Sequence, residues 1–285
     1  MAKKIDVVYF VKESYSNTEL AYSIRSVVKN LPYRKIWIFG GKPYNIEPDE
    51  FVEIKQHGAS KWDKVKNMYR TMCENEDITE DFVLMNDDFF IMKPIKTINP
   101  MYRCSLQDHI RTLERNYSQM VGNYTFQLRN TLIRLKKAGI VEPLSYELHI
   151  PMIMNRKKLL DLLDLFPRTH GMRSIYGNYY KIGGEQMSDV KVFDKKLDFD
   201  KESTFLSSCD DIWTYKNDMR KYIEETFKEK SKYETEIDDK ELVEVRCVKN
   251  YFDLELNRNM TNYSKPWLVT RERADMLKEK GLVTY

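Results

Sequence analysis

The chain has 285 residues and a mass of 34.2 kDa, which allows one large domain or one domain with a small appendage. Hydrophobic residues make up 42% of it and aromatic residues 13%, so a sizeable core is expected and wholesale disorder is excluded. The 47 lysines and arginines nearly balance the 44 aspartates and glutamates. That balance excludes a polybasic protein whose function rests on bulk charge.

Cysteine usage and hydropathy indicate the cellular compartment of the protein. The cysteines Cys73, Cys104, Cys209 and Cys247 are scattered and form no CxxC pair, which is typical of reduced thiols rather than of a disulfide or zinc framework. The apolar run near the start is short, and no later stretch approaches the roughly 18 apolar residues that a membrane span needs. We therefore expect a soluble, cytoplasmic protein without a membrane span.

The first third of the chain alternates between strand and helix patterns. Short runs rich in apolar and β-branched residues predict strands at 5–11, 35–39, 51–54 and 81–85. Apolar residues at helical spacing predict helices at 18–31 and 61–74, the second with Ser60 as its N-cap. This order predicts an α/β fold with a mostly parallel, doubly wound sheet flanked by helices.

The rest of the chain reads as helical insertions followed by a small terminal unit. Residues 103–137 are predicted to be helical, and 155–166 is an amphipathic helix with Asn155 as its candidate cap. The tyrosine-rich stretch 173–184 is predicted to be a loop. Residues 241–285 predict a strand at 242–248, a turn near 257–259 and a helix over 270–280 that stops at Gly281.

The strongest local signal for chemistry is Asn86-Asp87-Asp88, directly after the predicted strand 81–85. Ligands bind at the carboxyl ends of the strands in such sheets. Adjacent carboxylates there are costly unless a cation or hydrogen-bond donors compensate them. A divalent ion that bridges to a diphosphate would do so; an aspartate pair that caps the next turn is the equally weighted alternative.

Residues on neighbouring elements extend this candidate site. Asp6 is a carboxylate inside the first strand, and Arg25 projects from the first helix. The two are expected to pair, either as part of the site or for structure alone. Lys64 and Asn67 lie one turn apart on the helix before the strand 81–85, so both are expected to face the same cleft.

Three further positions carry groups suited to proton transfer or phosphate binding. His149 stands among apolar residues just before a proline, and it is either a structural histidine or a general base or phosphate ligand. Asp210 and Asp211 repeat the pattern of paired carboxylates after an apolar run. Lys228 and Lys230 form a cationic pair that fits either phosphate binding or an ordinary charged helix end.

Four segments follow one another over about residues 5–234. They are IDVVY; the run ELAYSIRSVVKNLPYRKIWIFGGKP followed by EDFVLMNDDFFIMKPI; ELHIPMIMNRKKLLDLLDLF; and FLSSCDDIW with IEETFKEKSKYE. In this order they resemble the four sequence blocks of the Stealth family of sugar-phosphate transferases, and the second segment resembles the most characteristic block.

The resemblance implies a sheet of the glycosyltransferase-A type, a nucleotide-sugar donor (a UDP-sugar foremost), Mg²⁺ or Mn²⁺, and transfer of hexose-1-phosphate to a hydroxyl. By position it implies that Asp87 and Asp88 bind the metal and that His149 or Asp88 accepts the acceptor proton. The other implied donor-site and catalytic residues are Asn86, Arg25, Asp210 and Lys230, beside which Asp6, Lys64 and Asn67 are candidate substrate-binding residues.

The chain departs from the family pattern at two places, and the first departure leaves the transferred group open. After IDVVY the chain continues FVKESYSN where the family usually has a Trp-Val-Asp-Gly stretch, and Cys209 stands where an asparagine is usual. The transferred group is therefore either a sugar or a sugar-1-phosphate. The same departures motivate an alternative in which the chain is a catalytically degenerate binding protein of a phage.

The tail resembles small modules common in tailed-phage proteins, through VEVRCVKNYFDLELNRNMTNYSKPWLVTRERADMLKEKGLV. We therefore expect a transferase domain over 1–240 and a C-terminal β-hairpin and helix module over 241–285. A phage or prophage gene would place the protein in the host cytoplasm, with a polysaccharide, a virion protein or modified DNA as acceptor. The basic segment 103–137 motivates a further alternative, a DNA-modifying glycosyltransferase.

Overall fold

The computed structural model describes the following residues: 4–12, 17–54, 61–116, 123–167, 171–193, 198–209, 212–213, 217–235, 242–253, 258–264 and 266–285. Two large apolar clusters lie within this part of the chain and cover opposite faces of one central sheet. Val8 contributes to one cluster, while its neighbours Val7 and Tyr9 contribute to the other. Alternation of this kind is the period-two pattern of a strand buried on both faces.

The strands are β1 (Ile5–Val11), β2 (Tyr33–Gly40), β3 (Glu50–Glu53), β4 (Asp81–Met85), β5 (Phe89–Ile91), β6 (Met101–Tyr102), β7 (Met152–Asn155), β8 (Glu185–Gln186), β9 (Phe205–Ser207), β10 (Leu242–Cys247), β11 (Tyr251–Asp253), β12 (Arg258–Met260), β13 (Trp267–Thr270) and β14 (Val283–Thr284). The helices are α1 (Thr18–Asn30), α2 (Lys61–Glu74), α3 (Leu106–Asn116), α4 (Asn123–Lys137), α5 (Arg156–Leu165), α6 (Met172–Tyr179), α7 (Asp218–Thr226) and α8 (Arg271–Glu279). None of these described helices is both long and apolar enough to cross a lipid bilayer.

The central sheet has the strand order β3-β2-β1-β4-β7. Strands β3, β2, β1 and β4 run parallel to one another, and β7 pairs antiparallel with β4 at the edge of the sheet. The predicted α/β architecture with a mostly parallel sheet is therefore confirmed. The chain runs from β1 to β2 on one side and places β4 on the other side of β1, so the strand order reverses between β1 and β4. That reversal is where ligands of open α/β sheets bind.

A small set of paired segments extends the carboxyl end of β4. Strand β5 pairs antiparallel with β9, with Phe89 opposite Ser207. A single parallel bridge joins Lys191 to the same Ser207. Three stretches of backbone therefore meet directly after Asn86-Asp87-Asp88 and fix the side chains that surround this tripeptide.

The helical insertion is confirmed, because residues 103–137 contain α3 and α4; residues 117–122, and Ser60 before α2, lie outside the described residues. The expected loop at 173–184 is wrong for 173–179, which belong to α6, and is confirmed for 180–184, which form a turn and irregular chain after that helix. Gly177 lets this helix lie directly on the ring of Tyr146, where a Cβ would collide. Ser174 donates to Glu147 at 2.9 Å. These tertiary contacts outweigh the weak helix propensity of a Tyr- and Gly-rich sequence.

The C-terminal strands pair with one another, in the order β13-β10-β14, and α8 packs on them around a small apolar cluster. The Thr270 hydroxyl accepts from the backbone N–H of Arg273 at 3.2 Å and caps α8. Gly281 follows that helix at φ 65°, as expected of a helix stop. The predicted turn falls partly on Asn257, outside the described residues, and 258–260 forms β12. The domain boundary at 240/241 also lies outside them and stays a prediction.

The expected Asp6–Arg25 pair is wrong, because each residue has another partner. Asp6 accepts two hydrogen bonds from Arg34, at 2.7 and 2.6 Å. Arg25 forms a 2.5 Å ion pair with Glu234, and the two side chains are only 10% and 6% exposed. The Arg25–Glu234 pair ties α1 to a segment more than 200 residues further along the chain, a partnership that no local pattern reveals.

We expect the Glu234→Ala substitution to lower the free energy of unfolding by about 3 kcal/mol, because it leaves the buried guanidinium of Arg25 without its counter-ion. Urea unfolding at neutral pH measures this loss. Glu47→Ala is the matched control, since it breaks the more exposed Lys42–Glu47 pair and should cost less than about 1 kcal/mol. Equal losses in the two variants would contradict the structural role of the Arg25–Glu234 pair.

Candidate functional site

Asp87 joins the ends of β1 and β4 across the point where the strand order reverses. Its Oδ2 accepts a hydrogen bond of 2.7 Å from Nδ2 of Asn17, the N-cap residue of α1. The Oδ1 of Asn17 accepts in turn from the backbone N–H of Leu20 at 2.9 Å. One asparagine thus caps the helix after β1 and holds the carboxylate after β4.

Asp88 lies in a more enclosed setting. Its Oδ2 accepts from the ammonium of Lys191 at 2.6 Å and from the hydroxyl of Ser207 at 3.2 Å. Its Oδ1 is buried and has no hydrogen-bond partner among the described residues. A desolvated carboxylate oxygen without a partner is costly. This atom therefore marks a place where the fold leaves a strong acceptor unused.

Lys191 remains a cation despite its burial. Burial by itself would lower the pKa of its ammonium group, but the adjacent charge and hydrogen bond of Asp88 and the charge of Glu19 outweigh that effect and raise the pKa. The side chains of Lys191 and Asp88 are 17% and 13% exposed, so the pair is only lightly screened by water. The carboxyl end of β4 therefore carries a tightly bound pair of opposite charges.

His149 lies at the same edge of the sheet, just before β7, which runs antiparallel to β4 and begins where β4 ends. Its Nδ1 is 2.9 and 3.0 Å from the two carboxylate oxygens of Asp189, and its backbone N–H donates to the same carboxylate. A carboxylate accepts from Nδ1–H, which leaves Nε2 of the neutral ring with its lone pair. The ring is 34% exposed, so solvent reaches the imidazole.

Asp189 is held as an anion between two donors. Burial raises the pKa of its carboxyl group, but the hydrogen bonds from His149 and the nearby charge of Arg103 outweigh burial and lower the pKa to about 2. Arg103 Nη1 donates to Asp189 at 2.9 Å. An open cleft of about 540 Å³ adjoins this cluster and is lined by Arg103, Cys104, Gln186, Met187, Ser188 and Asp189.

Arg173 adds a buried positive charge whose field reaches both Asp88 and Asp189. Burial lowers the pKa of its guanidinium, while Glu147, Asp189 and Asp88 act in the opposite direction through their charges. The guanidinium lies 5.6 Å from the ring of Phe89, and its Nε has no partner among the described residues.

Phe89 links the Asp88 and His149 parts of the site. Its ring makes an edge contact with the imidazole of His149, with ring centroids 6.2 Å apart. Because Phe89 directly follows Asp88 in sequence, this contact connects the backbone that carries Asp88 to the imidazole of His149.

One short segment also connects the two halves of the site. Asp189 holds His149, and Lys191, two residues further on, holds Asp88. Residues two apart in extended backbone point to the same side. The Lys191 backbone is fixed to β9 by the bridge to Ser207 and by a 2.8 Å bond from the Val192 N–H to the Ser207 carbonyl.

Several predicted site residues lie elsewhere or lack contacts with this cluster. Asp6 is level with Phe82 at the start of β4, four residues or about 13 Å from the carboxyl edge. Arg25 lies about 12 Å along α1 from Asn17 and is bound to Glu234. Lys230 is exposed in the segment just before Glu234.

The remaining candidates are less defined. On α2, Lys64 is half-buried and Asn67 is exposed, and the structure gives neither of them a hydrogen bond or an ion pair to another residue of the described part. Asn86 is half-buried at the site, where its carbonyl accepts from the Phe89 N–H at 3.3 Å. Asp210 lies outside the described residues.

The residues at this edge fit a hard divalent ion. No group of three or more His, Cys, Asp or Glu side chains in the described part of the chain is arranged to hold a metal. Mg²⁺ bound with a diphosphate, however, needs only one or two carboxylates, because phosphate oxygens and water complete its shell. Asp87 and Asp88 supply that number, and the unpartnered Oδ1 of Asp88 is the type of oxygen such an ion requires.

Sequence reasoning missed Asp189, Lys191 and Arg173. A signal for the first two was present, since Asp189-Val190-Lys191-Val192 alternates charged and apolar residues as an extended segment does. Arg173 carried no such signal, because its burial depends on α6 packing against residues near Tyr146.

The chain matches no protein-family model and no curated protein. Two solved structures of the glycosyltransferase GlyE from Streptococcus pneumoniae TIGR4 overlap with it. The apo form covers 65% of this chain and 45% of its own, at 13% identity and a TM-score of 0.32. The second has the same coverage, at 11% identity and a TM-score of 0.31. The chain spans less than half of either structure, and an overlap this limited carries no argument about fold or activity.

We expect Asp189→Asn to remove a pH-dependent part of the stability. The folded pKa of about 2 lies below the ordinary value of 3.8, so the stabilisation is complete above about pH 4 and is lost as pH falls through about 2. It amounts to about 2 kcal/mol. Urea unfolding from pH 7 to 3 should show a difference in the free energy of unfolding between wild type and variant, and this difference should narrow below about pH 4. Asp161→Asn, on the exposed side of α5, is the control; a difference independent of pH would refute the assignment.

Proposed function

We propose that the protein is a metal-dependent transferase that uses a nucleotide-sugar donor, a UDP-sugar foremost, and moves a sugar or sugar-1-phosphate onto an acceptor hydroxyl. The observation that carries this proposal is the pair Asp87 and Asp88 at the reversal point of a parallel sheet, with a buried, unpartnered oxygen on Asp88. Ligands of open α/β sheets bind at this reversal point. A divalent ion that binds there together with a diphosphate would compensate the carboxylates.

Donor binding rests on the carboxylate pair and the cations around it. Asp87 and Asp88 would hold Mg²⁺ or Mn²⁺, which neutralises the charge of the diphosphate when it is bound. Arg173 contributes a fixed positive charge within range of Asp88. Positive charge at this edge stabilises a departing nucleotide, whose negative charge grows as its bond to the transferred group breaks.

His149 is the proposed general base for the acceptor hydroxyl. Asp189 accepts from Nδ1–H of the imidazole and leaves Nε2 to accept a proton. Asp88, the alternative base, has its Oδ2 bonded to the ammonium of Lys191 and the hydroxyl of Ser207 and its Oδ1 buried, so its carboxylate is less accessible to an acceptor hydroxyl. The geometry therefore favours His149 for proton transfer and Asp88 for metal binding.

The acceptor is proposed to enter through the open cleft beside Asp189. Its lining is polar at Arg103, Gln186 and Ser188, which suits a hydroxyl-bearing acceptor. Polysaccharide, virion protein and modified DNA are the acceptor classes to test, in the setting of a phage-encoded enzyme in the host cytoplasm.

We expect Asp88→Asn and His149→Gln to fail at different steps. Asp88→Asn should lose metal-dependent donor binding, since a neutral amide lacks the negative charge with which a carboxylate binds a divalent cation. His149→Gln should bind donor normally and lose at least about a hundredfold in turnover, because it removes the base alone. Isothermal titration with UDP-sugars and Mn²⁺, together with release of UDP or UMP, measures both steps.

The nucleotide released also identifies the transferred group, because sugar transfer leaves a diphosphate and sugar-1-phosphate transfer leaves a monophosphate. Asp161→Asn should behave as wild type in both assays. Full turnover in Asp88→Asn would refute the metal assignment, and full turnover in His149→Gln would refute the base.

A further inference from the structure

Neither carboxylate oxygen of Asp88 is accessible to an arriving ion as the side chains stand. Oδ1 is buried, and Oδ2 is bonded to the ammonium of Lys191 at 2.6 Å and to the hydroxyl of Ser207 at 3.2 Å. An ion can therefore reach Asp88 only if one of these neighbouring groups moves away.

Lys191 is the neighbour best able to move. Asp88 has a short side chain, and its backbone is fixed because its carbonyl accepts from the Ser208 N–H at 3.1 Å. Ser207 lies within β9 and is buried. Lysine instead carries its charge on a flexible four-carbon stem, and the Lys191 side chain is 17% exposed, so part of it already borders solvent.

We propose that Lys191 is a resident counter-ion that competes with the divalent ion for Asp88. This inference rests on the proposed function, since it takes Asp88 as a metal ligand. An ammonium group and a divalent ion repel each other strongly at a few ångströms in a poorly hydrated site. The two cations therefore exclude one another at Asp88, and bound Lys191 weakens the affinity of the free protein for metal.

The competition favours a metal that arrives together with a diphosphate over a metal that arrives alone. A free divalent ion leaves the displaced ammonium beside it without a counter-charge. A metal–diphosphate complex brings anionic oxygens that an ammonium can bind as a point charge. Lys191 thus lowers the affinity of the site for a metal ion that arrives without a nucleotide.

The test is a titration of Mn²⁺ alone, followed by the electron paramagnetic resonance signal of free Mn²⁺. Lys191→Met should bind Mn²⁺ roughly tenfold tighter or more than wild type, because the competing charge is gone. Lys191→Arg keeps the charge and should not gain affinity. Lys93→Met changes the net charge equally at the exposed Lys93–Glu202 pair and should match wild type.

A second readout covers the case in which the buried Asp88 destabilises Lys191→Met. Mn²⁺ should then raise the melting temperature of this variant more than that of wild type, because the ion replaces the missing counter-charge. Lys191→Gln provides a milder second variant. The double variant Asp88→Asn, Lys191→Met should lose the gain in both readouts.

Unchanged or weaker Mn²⁺ binding in Lys191→Met and Lys191→Gln would overturn the competition, as would a failure of saturating Mn²⁺ to stabilise them. A gain that persists in the double variant would overturn it too, since the ion would then bind elsewhere. These outcomes are separable from failure of the proposed function, because donor binding by wild type is measured independently with UDP-sugars. An enzyme that binds and turns over donor, but whose Lys191 variants gain no Mn²⁺ affinity, would retain its function and lose this inference.

Discussion

The burial of Asp88 at the carboxyl edge of the sheet is the constraint on which the rest of the site depends. A carboxylate this enclosed needs compensating charge, and the fold provides it from Lys191, Ser207 and the nearby guanidinium of Arg173. Each of these groups comes from a different part of the chain. Lys191 and Ser207 reach Asp88 because β5 pairs with β9 and the Lys191 backbone is bridged to β9 directly after Asn86-Asp87-Asp88.

The same constraint connects the acidic and the histidine halves of the site. Asp189 and Lys191 lie in one short segment, so a single stretch of backbone carries both the partner of His149 and the partner of Asp88. The ring of Phe89, between His149 and Arg173, forms a second connection. The residues proposed for donor binding and for proton transfer are therefore joined by backbone and by packing.

The sequence predicted the local elements of the sheet well and the tertiary partners poorly. Strand 81–85, helix 61–74 and the Asn155 cap follow from short-range pattern and are confirmed. The helix at 172–179 was missed because its stability comes from packing against Tyr146 rather than from propensity. The Arg25–Glu234 ion pair was missed for a similar reason. Arg25 pairs with Glu234 rather than with Asp6 because Glu234 lies beside it in space, although the two are distant in sequence.

The residues of the candidate site show the same difference between local patterns, which could be predicted, and tertiary contacts, which could not. Asp87, Asp88 and His149 could be selected because their residue types and their place after strands indicate chemistry. Lys191 and Arg173 could not be assigned a role, because their importance lies in what they contact. The resemblance to the Stealth family named the carboxylates and the histidine, but it also drew in Arg25 and Lys230, which the fold places away from this edge.

The most direct test of the central claim is a thermal-shift panel of nucleotide-sugars and free nucleotides, each with and without Mg²⁺ or Mn²⁺. Ligand that binds the folded state raises the melting temperature once its concentration well exceeds the dissociation constant. We expect a rise in melting temperature with one nucleotide-sugar that requires the metal and disappears in Asp88→Asn. The absence of a rise with every donor, with metal present, would contradict the transferase and favour a binding protein that has lost catalysis.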